Sequence, residues 1–312
     1  MGLEVKGISK YYGEKKVVND LSFEVLKPGV FGLLGTNGAG KTTTIRMILN
    51  VITRDSGQIL WNGYDISKQK LLFGYLPEER GLYPKVKVSE QLMYFARLRG
   101  VSKDTAKNNI KYWLGRLDAS QYENMNAEKL SKGNQQKIQL IAALIHDPEL
   151  IFLDEPFSGL DPVNTDLFKG VVYELVEKNR YIIMSSHQMN AVEEFCRDIV
   201  LLKGGNDILK GNLRDIKASY GRTNLELKCQ GEIVAFAQEL GIKKITQSAA
   251  GYEFKISDEK QGYSLLQKIL DEGLPLDKFE IREPSLHEIF IEKVGTYNEE
   301  NGTDSAERKE TK

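Results

Sequence analysis

Cysteine is almost missing from this chain. Cys196 and Cys229 are the only two in 312 residues, and they lie far apart. That pattern points away from a disulfide framework or a cysteine metal centre and fits a reducing compartment. No apolar run approaches the ~20 residues that a membrane-crossing helix needs. The first residues, MGLEVKGISK, hold no signal-peptide core, and Lys6 stands where a myristoylation pattern needs Ser or Thr. The chain is therefore expected to be soluble by itself, with any membrane association made through a partner. An excess of one charge is also absent: 43 Lys and Arg oppose 44 Asp and Glu, a net charge of −1. No overall basic field asks for nucleic acid. The length suits one large domain with a small one, or two medium ones.

What is present begins with Gly35-Thr36-Asn37-Gly38-Ala39-Gly40-Lys41-Thr42, which fits G-x-x-x-x-G-K-[ST] without departure. Val30–Leu34 ahead of it reads as a buried parallel strand, and Thr42–Asn50 behind it as a helix. Glycines let the loop wrap closely, so that its N–H groups face phosphates, and the helix start adds a positive end. Lys41 then reaches β- and γ-phosphate oxygens, the Thr42 hydroxyl ligates Mg²⁺, and Thr43 follows at the helix start. This is a nucleotide-binding pattern.

Around it the chain alternates between sheet and helix signals. Leu3–Ser9 and Val17–Val25 alternate apolar and polar residues and predict an antiparallel β region. Tyr12, next to Gly13, is placed to stack on a purine base, although an ordinary strand-end tyrosine is the simpler reading of that residue alone. SGQILWNGYDI (56–66) predicts a hairpin turning at Asn62-Gly63. Phe73–Leu76 predicts a strand stopped by Pro77, followed by the polar Glu78-Glu79. From Val88 to about Glu128 the period becomes helical. Ser131 then caps a further helix, whose exposed N–H groups would form a second anion site, although taken alone a plain capped helix is the favoured reading.

Leu150–Leu153 is a buried run ending in Asp154 and Glu155. In open α/β sheets ligands bind at that end of the strands. Asp154 is placed to hold Mg²⁺ through water, and Glu155 to polarise the attacking water. Ser158–Pro162 reads as a tight turn containing Asp161. Tyr181–Met184 is another buried strand, with His187 just past its end, where it faces the same ligand.

Taken in order, these segments over about residues 1–217 resemble the nucleotide-binding subunit of an ABC transporter. The resemblance implies an α/β P-loop NTPase domain with a RecA-like core, an antiparallel β subdomain and a helical subdomain at about 86–147. It makes Tyr12 the base-stacking aromatic, Gly35 to Thr42 Walker A and Glu78 the Q-loop residue and a metal ligand. Ser131 and Gly133 become signature residues, Asp154 the Walker B aspartate, Glu155 the catalytic glutamate, Asp161 the D-loop residue and His187 the switch histidine. It further implies ATP and Mg²⁺ as ligands, and two ATPase subunits, as a homodimer or a paired heterodimer, set head to tail so that each signature helix closes the other's site. The partner would be an integral membrane permease docked near the Q-loop and the helical subdomain, which places the chain at the cytoplasmic face of the membrane. Two departures stand out: Lys132 and Asn134 replace the Gly and Gln of the usual signature, and Glu78 replaces the usual Gln.

Residues 218–295 read as a small α+β domain of order βαββαβ, the ferredoxin-like order. Ser285 and Glu288 form a capping box for a last helix, with His287 a surface residue. An ending around EPSLHEIF resembles the extra domain of ABC-2 type exporter ATPases of the sodium-, drug- or peptide-efflux kind. Residues 296–312 have too little apolar content to bury and are expected to be disordered. The competing class is an ABC ATPase acting on ribosomes or DNA; a single nucleotide domain without a basic linker or long coiled coils argues against it.

Overall fold

The computed structural model describes residues 2–69, 72–79, 81–231, 233–248 and 251–295. The tail expected at 296–312 lies outside the described residues. The chain divides into two compact units, the first ending at Lys210 and the second beginning at Gly211. That break falls ahead of the expected boundary at 217, because helix 213–220 clusters with the second unit.

In the first unit β1 (Leu3–Tyr12) pairs antiparallel with β2 (Lys15–Val25). Their alternation buries Leu3, Val5, Ile8, Val18 and Leu21 on one face. The P-loop strand β3 (Gly29–Gly35) and helix α1 (Lys41–Ile48) follow as expected. Next, β4 (Ser56–Trp61) turns through Asn62-Gly63 into β5 (Tyr64–Asp65), and β4 pairs with β1, giving a sheet of order β2-β1-β4-β5.

A helical insertion separates β6 (Phe73–Leu76) from β7 (Leu150–Asp154). It carries α2 (Val88–Leu98), α3 (Lys103–Arg116) and α4 (Lys132–Leu144). Then come α5 (Pro162–Glu177), β8 (Tyr181–Ser186), α6 (Met189–Phe195), β9 (Cys196–Lys203) and β10 (Asn206–Asn212). The insertion is tied to the core through Glu174 of α5, which accepts hydrogen bonds from Tyr112 Oη at 2.6 Å and Arg116 Nε at 3.2 Å.

The second sheet has the order β10-β9-β3-β8-β7-β6, and β9, β3, β8, β7 and β6 run parallel. Buried on both faces, β7 and β8 are apolar almost throughout, as parallel strands must be. One core cluster joins Leu33, Phe152 and Ile183 of this sheet to Ile45 and Ile48 of α1 and to Leu3, Phe23 and Trp61 of the antiparallel sheet. Because β3, β7 and β8 run the same way, the P-loop, Asp154-Glu155 and Ser186-His187 all emerge at one edge.

The second unit opens with α7 (Leu213–Tyr220). It continues through β11 (Asn224–Cys229), α8 (Val234–Glu239), β12 (Lys243–Ser248), β13 (Gly251–Lys255), α9 (Glu259–Asp271) and β14 (Leu276–Arg282). The antiparallel sheet order β12-β13-β11-β14 is the ferredoxin-like arrangement that βαββαβ predicts. Leu225, Leu227, Phe254 and Ile281 pack in one cluster with Ala237 of α8 and Leu265 and Ile269 of α9.

A last helix, α10, spans 286–295. The capping box is formed as expected: Glu288 N donates to Ser285 Oγ at 3.2 Å and Ser285 N to Glu288 Oε2 at 2.6 Å. His287 is exposed. Arg282 donates to Glu288, Glu226 and Glu253, each at 2.7–2.8 Å. Burial alone pushes the Glu288 carboxyl up, but hydrogen bonds from Arg282 and Ser285 outweigh it and hold the group at about 2, below its ordinary 4.5. Between those values the unfolded chain takes up a proton that the folded one does not. The contribution is therefore complete above about pH 4.5 and is lost as pH falls toward 2. Glu288→Gln should lower the second unit's Tm at pH 7 by roughly 4–8 °C, the effect of ~1 kcal/mol. That gap should narrow as thermal unfolding is repeated down to about pH 3.

Candidate functional site

The phosphate loop is shaped by backbone that only glycine adopts freely. Gly35 has φ 146° and Gly40 φ 105°. A Cβ at Gly35 would sit 2.3 Å from Leu202 O, and one at Gly40 2.7 Å from Val17 O. Both positions combine a left-handed backbone with a close approach, so a side chain at either would displace the loop. Ala39 N donates to Thr36 O at 3.1 Å, which tightens the turn. The loop borders a cavity of about 340 Å³ lined by Val17, Asn37, Gly38, Ala39, Gly40, Lys41, Thr42, Thr43 and Glu78.

Lys41 is buried, and its ammonium points back under the loop. Its Nζ donates to Gly35 O at 2.9 Å and Thr36 O at 3.4 Å, and lies 3.1 Å from Glu155 Oε1. Glu155, just past β7, has φ 51°, a left-handed conformation that costs a non-glycine residue on the order of 1 kcal/mol. Its N–H is shared between Ser185 O at 3.2 Å and Ser185 Oγ at 3.1 Å, which anchors the turn. Glu155 Oε2 lies 2.9 Å from His187 Nδ1 and accepts from His187 N at 3.3 Å. Lys41, Glu155 and His187 thus form one chain running from the buried loop to the exposed edge.

Asp154 is 1% exposed. Its Oδ1 accepts from Thr42 Oγ1 at 3.3 Å and from Ser185 Oγ, whereas its Oδ2 is buried with no hydrogen-bond partner among the described residues. Burial pushes the Asp154 carboxyl up, against the hydrogen bonds of Ser185 and Thr42, and the adjacent Glu155 raises it further. An orphaned carboxylate oxygen beside a threonine hydroxyl is an all-oxygen donor set of the kind Mg²⁺ takes. The residues present therefore fit that ion; Thr42 and Glu78 line the phosphate-loop cavity, and Asp154 stands behind it, joined to it through Thr42.

Ser185 is a site residue that the sequence reading passed over. It is fully buried, pairs with Asp154 in the sheet register and orients both acidic residues. Its signal was a hydroxyl at the end of an apolar strand.

Other expected residues gather elsewhere. Ser131 caps α4, its Oγ accepting from Asn134 N at 3.3 Å. Asp161 caps α5, accepting from Asn164 N at 2.9 Å and Asn164 Nδ2 at 2.6 Å. A Cβ at Gly133 would meet that Asn164 amide at 3.1 Å. Ser131, Gly133 and Asp161 therefore belong to two neighbouring helix starts, and none lines the phosphate-loop cavity. Asn134, at the position of the usual signature Gln, donates to Tyr122 Oη at 2.8 Å. Tyr12 ends β1 with its ring 53% exposed and Lys10 Nζ 5.6 Å from its centre, also outside the cavity lining.

Known proteins resemble this chain in sequence and fold. Residues 18–158 match the family described as ABC transporter, and residues 211–294 match the ATP-binding protein DrrA1-3-like, C-terminal domain. The chain is 44% identical over 301 residues to the uncharacterized ABC transporter ATP-binding protein YhaQ of Bacillus subtilis (strain 168), covering 95% of this chain and 100% of that one. It is 32% identical over 305 residues to the linearmycin resistance ATP-binding protein LnrL of the same organism, covering 94% and 98%. A solved structure of the ATP-binding subunit of an ABC transporter is similar with TM-score 0.66 and 31% identity, over 71% of this chain and 94% of that one.

Proposed function

This chain belongs to the ABC transporter ATP-binding protein family and is an ATP-binding, ATP-hydrolysing subunit, and from that premise we propose that it powers efflux through a separate membrane permease. The observation that carries the chemistry is the Lys41–Glu155–His187 chain beside the free oxygen of Asp154. Glu155 orients the attacking water and accepts its proton, and His187 holds the Glu155 carboxylate and faces the γ-phosphate. Lys41 exchanges its contacts with the loop carbonyls and Glu155 for phosphate oxygens, while the loop N–H groups from Gly38 to Thr43 take up phosphate charge. Thr42 and Asp154, with Glu78 on the cavity wall, would hold Mg²⁺, which would neutralise phosphate charge when bound.

Ser131, Gly133 and Asp161 lie off this cavity, which supports a site completed by a second subunit, whose α4 start offers N–H groups to the nucleotide. The helical segment 86–147 and the exposed Tyr83, Tyr94 and Leu98 around α2 provide the surface for the permease. Among the described residues no helix is long and apolar enough to cross a membrane, which is consistent with a peripheral place at the cytoplasmic face. Export is favoured by a relative named for linearmycin resistance that matches along nearly the whole chain, second unit included. A drug or peptide is the leading cargo, and sodium remains the alternative.

The test is purification of tagged Glu155→Gln protein from detergent-solubilised cells with ATP. A multi-span membrane protein recovered in near-equal amount is the expected result. Ribosomal proteins or nucleic acid with no membrane partner would overturn the transport function and leave the ATPase chemistry standing.

A further inference from the structure

Three buried polar atoms at the acidic strand end have no hydrogen-bond partner among the described residues: Glu155 Oε1, which faces Lys41 Nζ as an ion pair, and Asp154 Oδ2 and the hydroxyl of Tyr75, which the site as described leaves unused. The last two belong to neighbouring strands. Tyr75 of β6 is in register with Phe152 of β7, and residues paired in a sheet share a face. Asp154, two residues beyond Phe152, shares it too. The Tyr75 ring packs against the cluster that Phe152 makes with Ile45 and Ile48 of α1, so the phenol is fixed between strand and helix. Burial and the nearby Asp154 carboxylate both raise the phenol's pKa, which keeps it a protonated donor. Arg46 of α1 lies beside the phenol oxygen and opposes that rise; a guanidinium can only donate, so it offers the phenol O–H no acceptor.

An orphaned donor and an orphaned acceptor on one buried face cost stability unless something bound there uses both. We propose that Tyr75 is a positioning residue for the divalent cation, acting through Asp154: its hydroxyl is the outer partner of the water that the free Oδ2 shares with the ion. The proposal rests on the reading of Asp154 and Thr42 as the metal-holding pair. It adds a residue from β6, the strand that leads directly into Glu78, so the metal shell and that loop share one support.

The experiment titrates Mn²⁺ into the full chain with a non-hydrolysable ATP analogue, read by electron paramagnetic resonance, for the parent, Tyr75→Phe and Asp154→Asn. Thermal unfolding of each is measured without nucleotide. Tyr75→Phe is expected to weaken Mn²⁺ binding about tenfold, the usual effect of removing an outer partner of a metal site. Its nucleotide-free Tm should be unchanged or higher, because the lost hydroxyl had no partner, and Asp154→Asn should lose most Mn²⁺ binding. Loss in Asp154→Asn with none in Tyr75→Phe would overturn the role of Tyr75 while leaving the metal site intact. Unchanged binding in both variants would overturn the site reading as well. A lower Tm in Tyr75→Phe with Mn²⁺ affinity unaltered would make the hydroxyl merely structural and also overturn the proposal.

Discussion

Steady-state ATP hydrolysis is expected to fall about 10²–10⁴-fold when Glu155 is replaced by Gln, with ATP still bound. The substitution keeps the size and planarity of a side chain held in a left-handed turn at φ 51° by two contacts to Ser185. It removes the negative charge that Lys41 Nζ faces at 3.1 Å and the oxygen that can accept a proton from water. The phosphate loop, Thr42 and Asp154 are untouched, so affinity for nucleotide should change little. Phosphate release and equilibrium ATP binding, measured on the same preparation, separate the two quantities. Hydrolysis at the parent rate would show that another group is the base.

The second large effect is on Lys41. Lys41→Met should weaken ATP binding by at least about 100-fold, since a buried cation next to phosphate charge contributes several kcal/mol. It should also lower stability without nucleotide. Lys41 and Glu155 are 6% and 4% exposed, and removing one partner of a buried pair leaves the other charge uncompensated, a loss of about 3–5 kcal/mol. In a unit of this size that is a fall in Tm of roughly 6–20 °C. Adding Glu155→Gln to Lys41→Met should restore much of that loss, because the orphaned carboxylate disappears with it. A double variant as unstable as the sum of the single ones would mean that the two side chains are not coupled.

Much of this was legible in the sequence because the relevant signals are local. Glycine spacing before Lys41, an apolar run ending in Asp154-Glu155 and a second run ending at His187 each define a strand end, and parallel pairing then brings those ends together. The second unit was readable because its alternation is regular: Leu225, Leu227, Phe254 and Ile281 face a core on one side only. What escaped were relations between residues distant in the chain. Neither the ion pair of Lys41 with Glu155 nor the clasp of Ser185 on Asp154 has a spacing, because each joins separate strands. Strands β9 and β10 also went unread, since Cys196–Lys203 follows α6 without a break and reaches its parallel neighbour β3 only through the sheet. Glu78 was placed correctly on the loop after β6, but that it lines the phosphate-loop cavity is a tertiary fact.

We propose that one ATP is held between two ATPase subunits, here two copies of this chain: the phosphate loop and acids of one, the α4 start of the other. The direct measurement is light scattering of Glu155→Gln protein with and without Mg²⁺ and ATP. The account predicts a doubling of mass with ATP that is reversed by chelation, and no doubling when Ser131→Arg is added to block the α4 start. A mass that stays at the single-chain value while ATP saturates the protein would contradict it.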